Sequence, residues 1–154
     1  DIKNNTIPLA QFTYLDALSS IQAFAISNHP GGFVETSGQI ISILATINSG
    51  RGGTWLIDPY DLIINSAIAA NINSALQSGQ NVTLTTASET NTINSDPVTT
   101  TTGTSGTGNI TLNAAILSSG EGDLSLIADN NIYINAAITL SGTDSGAALS
   151  GSTI

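Results

Sequence analysis

Along this chain, apolar residues alternate with polar or small ones in short runs, and several of the runs recur. "NITLNAAI" at 109–116 returns almost unchanged as "NIYINAAI" at 131–138. "LIINSAI" at 62–68 shares the ending, and "ISILATI" at 41–47 precedes it at a closely similar offset. "NVTLTTA" at 81–87 and "DLSLIAD" at 123–129 echo them more loosely. A period of two is the mark of half-buried strands, whose side chains point alternately to the two faces of a sheet. Turn-forming clusters such as "SGRGG", "QSGQN", "SSGEGD" and "LSGTDSG" separate the runs. Helix signals are nearly absent after residue 38, so the pattern predicts strands throughout that part.

A unit of about 22 residues holding two or three short strands is one coil of a parallel β-solenoid. The expected fold is therefore all-β, a parallel β-helix whose coils bury Ile, Leu, Val and Ala against one another. The offsets predict one inward column of Ile43, Ile64, Leu112 and Ile134, and a second of Ile47, Ile68, Ile116 and Ile138. Asn65, Asn113 and Asn135 share a register and predict a ladder of stacked amides, each satisfying its neighbour's donors and acceptors. A β-sandwich fits the strand lengths but does not explain identical endings at fixed offsets.

Two regions leave this register. Residues 83–107 are rich in Thr and broken by Asp96-Pro97, and they lose the alternation of large apolar residues. They read as a lateral loop or hairpin insertion, ahead of a flexible recognition loop. Residues 1–30 carry apolar residues at 15, 18, 21 and 24–26, compatible with a short helical turn or with irregular strands. The chain thus divides into an irregular segment (1–30), coils (31–82), the insertion (83–107) and further coils (108–154), as one β-helical domain or a fragment of one.

Charge narrows the class of partner. Only 8 % of the residues are charged, against about 25 % in an average soluble protein, and the net charge is −9. With Lys3 and Arg51 as its whole basic complement, the chain has no phosphate-tracking groove, which argues against nucleic acid and anionic membranes as partners. It has no cysteine, hence neither disulfides nor thiolate metal sites. That suits export through an oxidising compartment. No apolar run has the roughly 18 residues of a membrane span and no signal peptide opens the sequence, so a secretion signal is expected outside it.

Within residues 29–68, "GGFVETSG" is followed by "GRGGTWLIDPYDLII". This linked pair resembles motifs in the β-helical shaft of filamentous haemagglutinin-like exoproteins of two-partner secretion systems. The resembling positions are Gly31, Gly32, Phe33, Glu35, Gly52, Gly53, Trp55, Asp58, Pro59 and Asp61. The resemblance implies a right-handed parallel β-helix, exported by an outer-membrane partner and displayed on a Gram-negative-type cell surface. It also implies attachment to a glycan or protein of a host or neighbouring cell, or biofilm formation. The family's N-terminal secretion domain is not visible in these residues.

Candidate chemistry is sparse. Asp58 and Asp61 could serve as an acid/base pair or as calcium ligands, but no base, Arg or aromatic subsite accompanies them. They read first as turn residues accepting from nearby amides, with Gly52 and Gly53 turning the chain and Pro59 forming a corner. Glu121 and Asp123, near Asp129, are weak calcium candidates of the same kind. His29 stands alone in "HPGG", a turn. A buried Glu35 near Lys3 could promote an isopeptide crosslink. No cofactor and no catalytic residue is expected. Three readings follow in order: a surface-displayed binding module, a filament subunit stacking through open coil ends, and a polysaccharide-active enzyme.

Overall fold

The computed structural model describes residues 10–25, 29–86, 89–93, 96–100 and 106–152. The first strands are β1 (Phe12–Leu15), β2 (Ser20–Gln22), β3 (Phe33–Gly38), β4 (Ile40–Ile43) and β5 (Thr46–Asn48). After β6 (Thr54–Pro59) and β7 (Leu62–Ile64) comes helix α1 (Ser66–Gln77), then β8 (Asn81–Thr85). Strands β9 (Glu89–Ile93) and β10 (Asp96–Thr100) form an antiparallel hairpin. The chain continues with β11 (Ile110–Leu112), β12 (Ile116–Ser118), β13 (Leu124–Ile134), β14 (Ile138–Leu140) and β15 (Ala147–Ser152).

Apart from that hairpin, every pairing among these strands is parallel. One wall is unbroken: β3, β6, β8, the first half of β13, and β15 lie side by side. The second half of β13 leads into β11 and β7, so the largest sheet curls into an all-parallel half-barrel. β1 pairs only with β4, β2 with β5, and β12 with β14. The offset between the two repeated words appears directly as Ile110↔Ile132 and Ile116↔Ile138.

Alternation sets which side chains turn inward, although in β6 Leu56 and Asp58 on the opposite face are buried as well. In β3 the side chains of Val34 and Thr36 turn inward, in β6 those of Trp55 and Ile57, and in β8 those of Val82 and Leu84. Trp55 is fully buried, and its indole N–H donates to the Thr36 hydroxyl at 3.1 Å on the adjacent strand. Burying one such ring contributes on the order of 3 kcal/mol, and the indole donor is satisfied rather than stranded. Residues expected to be irregular near the N-terminus pair as β1 and β2; residues 1–9 and 26–28 lie outside the described set. The wall also runs through Thr83, Leu84 and Thr85, so the excursion begins after β8 and contains the β9–β10 hairpin.

Two expectations fail here. Residues 66–77 form a helix, although no helix was predicted beyond residue 38. Ile68, Ala69, Ile72, Ala75 and Leu76 are its buried residues, a spacing near 3.6 that the strand alignment of "LIINSAI" conceals. Ile68 therefore leaves the second column, in which Ile116 still meets Ile138 and Ile47 instead meets Ile21. The first column is also cut. Leu112 pairs with both Ile64 and Ile134, but Ile134 is 46 % exposed rather than inward, and Ile43 pairs with Leu15, because β4 and β7 do not pair with each other.

Candidate functional site

The two segments of the linked motif are neighbouring rungs of the unbroken wall. Phe33 pairs with Thr54 and Gly38 with Pro59, a single register held across the whole of β3 and β6. The glycines before each rung make the corner. A Cβ on Gly31 would lie 2.1 Å from the Ser49 carbonyl oxygen, and one on Gly53 would lie 2.2 Å from the same atom. Any side chain there would push the corners apart. The amides of Gly31 and Gly32 donate to the carbonyls of Arg51 and Ser49 at 2.9 and 2.7 Å. Gly52 turns with a φ of +69° in open space. Exposed His29 leads into this corner. Glu35 accepts from the Ser37 hydroxyl at 2.7 Å, and Lys3 lies outside the described residues.

Asp58 and Asp61 part company. Asp58 is fully buried within β6 beside Ser37, and buried Pro59 ends that strand; neither stands in an exposed turn. Asp61 stands outside the wall and holds the end of the insertion. It accepts from the Thr107 amide at 3.0 Å, the Thr107 hydroxyl at 2.7 Å and the Asn109 amide at 3.0 Å. Partial burial acts to raise its pKa, but hydrogen bonds from Asn109, Thr107 and Gly108 outweigh it and bring the carboxyl below its ordinary value.

Glu121 pairs with Arg51 and Asp123 accepts from the Gly146 amide at 2.7 Å, at the other end of the wall from Asp61. Asp129 is exposed, with its amide donating to the Thr86 hydroxyl. Among the described residues no group of three or more His, Asp or Glu converges as metal ligands. Nor is any helix among them long and apolar enough to cross a membrane. Asn135 donates to Asn113 through side-chain amides at 2.9 Å, which makes a two-membered ladder. Asn65 has the same register but is spent elsewhere: it is the N-cap of α1, accepting from Ala67 and Ile68.

A concave feature of the surface is a slot of about 550 Å³ where β4 faces β7. Ile41, Leu62 and Ile68 are among its apolar lining, and Gln39, Tyr60 and Asn65 its polar lining. Ile40 and Ile63 stand on the outer face, 63 % and 59 % exposed. Sequence alternation did not single these residues out, although a signal existed: both are large and apolar at outward positions, where polar residues are the rule. Beyond β4, the rings of Phe12 and Tyr14 on β1 stack with centroids 6.3 Å apart. No protein-family model matches this chain, and no curated protein or solved structure matches it either.

Proposed function

We propose that this chain is a non-catalytic binding and display module, a segment of a surface-exposed adhesin wound as a right-handed parallel β-helix. The observation that carries the reading is the stacking of "GGFVETSG" on "GGTWLIDP" as consecutive rungs in one register. In the exoproteins the motifs resemble, such rungs build a shaft. The in-register pairing of the repeated words across β11, β12, β13 and β14 supports the same winding. So does the low charge, which leaves a broad Ser, Thr and Asn surface suited to shape-matched contact rather than to steering of charged ligands. The exposed Phe12–Tyr14 pair adds flat apolar area of the kind that stacks on sugar rings. On this reading the partner is a glycan or protein on another cell's surface, and an outer-membrane partner exports the parent protein.

The test is binding of the fluorescently labelled chain to epithelial and bacterial cells and to a glycan array, alongside light scattering over a dilution series. Saturable binding that unlabelled chain displaces is the expected outcome. A folded chain that binds none of these surfaces overturns the adhesin reading. Straight fibres persisting on dilution replace it with a filament subunit.

A further inference from the structure

We propose that the slot between β4 and β7 is a strand-acceptor site, which takes an extended, uncharged peptide segment of a partner protein between two open sheet edges. The site is internal to the chain and does not depend on the adhesin reading.

The hydrogen bonds define the two rims. Ile40 N–H donates to Gln11 and Leu44 N–H to Leu15, so the even-numbered residues of β4 bond to β1. In a parallel pair the intervening residues face the other way. Ile41 therefore turns its peptide group to the slot; Ile43 faces the same way but is almost fully buried, with its carbonyl held by Asn71 of the helix. On the opposite rim Leu62 N–H and Ile64 C=O bond to the β11 side, to Asn109 and Asn113. Ile63 N–H then faces the slot, while its carbonyl is taken by Asn65 N–H at 3.2 Å. The slot is thus lined with two outward-facing N–H donors, one on each rim from Ile41 and Ile63, and one carbonyl, from Ile41.

Direction and charge narrow the occupant. β4 and β7 leave the paired strands β3 and β6 by similar short corners, so both rims run the same way. Among the described residues the lining holds no basic side chain, and its single carboxylate, Asp61, is already occupied by Thr107 and Asn109. Charged residues in the occupant gain nothing there. Ile40 and Ile63 flank the outer face with exposed apolar surface, and Ile41, Leu62 and Ile68 offer an apolar floor. An aliphatic strand with its carbonyls aimed at the donors fits both, by the recognition mode in which a peptide extends an exposed sheet edge.

The probe is a blocked octapeptide with the sequence of residues 109–116, Asn-Ile-Thr-Leu-Asn-Ala-Ala-Ile, titrated into the full chain and followed by amide hydrogen exchange. At a peptide concentration ten times its Kd, exchange at Ile41 and Ile63 slows about tenfold. The double variant Ile40→Lys/Ile63→Lys places charge at both flanks and weakens binding at least about tenfold, as charged edges do. Leu117→Lys, on another exposed strand, leaves affinity unchanged. Protection confined to other edges, equal binding by the double variant, or no binding at millimolar peptide overturns the proposal. So does a dimer that the double variant abolishes, since a second copy then fills the slot.

Discussion

Two places where parallel stacking is interrupted are treated in opposite ways. Between β5 and β12 a helix stands where a strand would, yet the neighbouring edges are not left bare. Asn73 donates to the Ala115 carbonyl at 3.5 Å and accepts from the Leu117 amide at 2.9 Å, as a strand's backbone would. Gln77 accepts from the Ser119 amide at 3.1 Å, and Gln80, just beyond the helix, accepts from the Ser49 amide at 2.6 Å. Between β4 and β7 the Ile43 carbonyl is held by Asn71 and the Ile63 carbonyl by Asn65, while the N–H groups of Ile41 and Ile63 face the slot. A sheet edge costs little when water reaches it and much when it is buried unpaired. The helix buries its edges and supplies amides; the slot remains open to solvent or to a partner strand.

The largest effect belongs to the wall that has no interruption. Trp55→Ala removes a fully buried ring and its bond to Thr36, and should lower unfolding stability by about 3–5 kcal/mol in urea titration. A loss smaller than that of any variant around the helix would mean that the unbroken wall is not the main source of stability. Asn73→Ala comes next. It strands the Ala115 and Leu117 groups at a partly covered edge and should cost about 1–2 kcal/mol. Asn73→Asp keeps the acceptor for Leu117 and should recover part of that loss. If neither variant changes stability, the amides are incidental to how the helix is accommodated.

The end of the insertion offers a test by pH. Asp61 has a folded-state pKa below its ordinary 3.8, so the clamp on Thr107 and Asn109 contributes full stability above that value. The contribution fades as pH falls through the lower folded value, because protonation removes the charged acceptor. Thermal unfolding of Asp61→Asn should therefore lack the part of the acid-side decline that Asp61 causes. Identical pH profiles for the two chains would show that the carboxylate carries no linkage.

Much of this architecture was legible because identical words fall on identical rungs. "NITLNAAI" and "NIYINAAI" pair at their stated positions, and the expected ladder survives as Asn113 and Asn135. The same reasoning misread "LIINSAI". Its Ile64 belongs to a strand, but Asn65 caps a helix and Ile68 begins that helix's buried face. The local words are ambiguous between periods of 2 and 3.6, and the long-range partner decides. Alanines at 67, 69, 70 and 75, with Gly79 after the final turn, were the available helix signals. Asp58 was misplaced for a related reason: Asp-Pro is a turn word, but β6 extends through both residues. The slot had no signal in repeat spacing at all, since the offset between "ISILATI" and "LIINSAI" predicts a pairing that the fold does not make.

The smallest effect sharpens the contrast between the two rims of the slot and the core behind them. Ile63 is 59 % exposed, whereas Leu62 and Ile64 on either side are almost fully buried. A single lysine at 63 alters only an outward side chain, so Ile63→Lys should change stability by no more than about 0.5 kcal/mol. Leu62→Ala and Ile64→Ala, one step away in either direction, should each cost about 2–5 kcal/mol through lost burial and the cavity left behind. Three adjacent positions then give a large, a negligible and a large effect in urea titration. A one-residue slip of β7 reverses that order, because it exchanges the faces of every side chain on the strand. A substantial loss at Ile63 alongside the other two would mean that the slot is closed in solution and its outer isoleucine packed, leaving no edge for a partner strand to join.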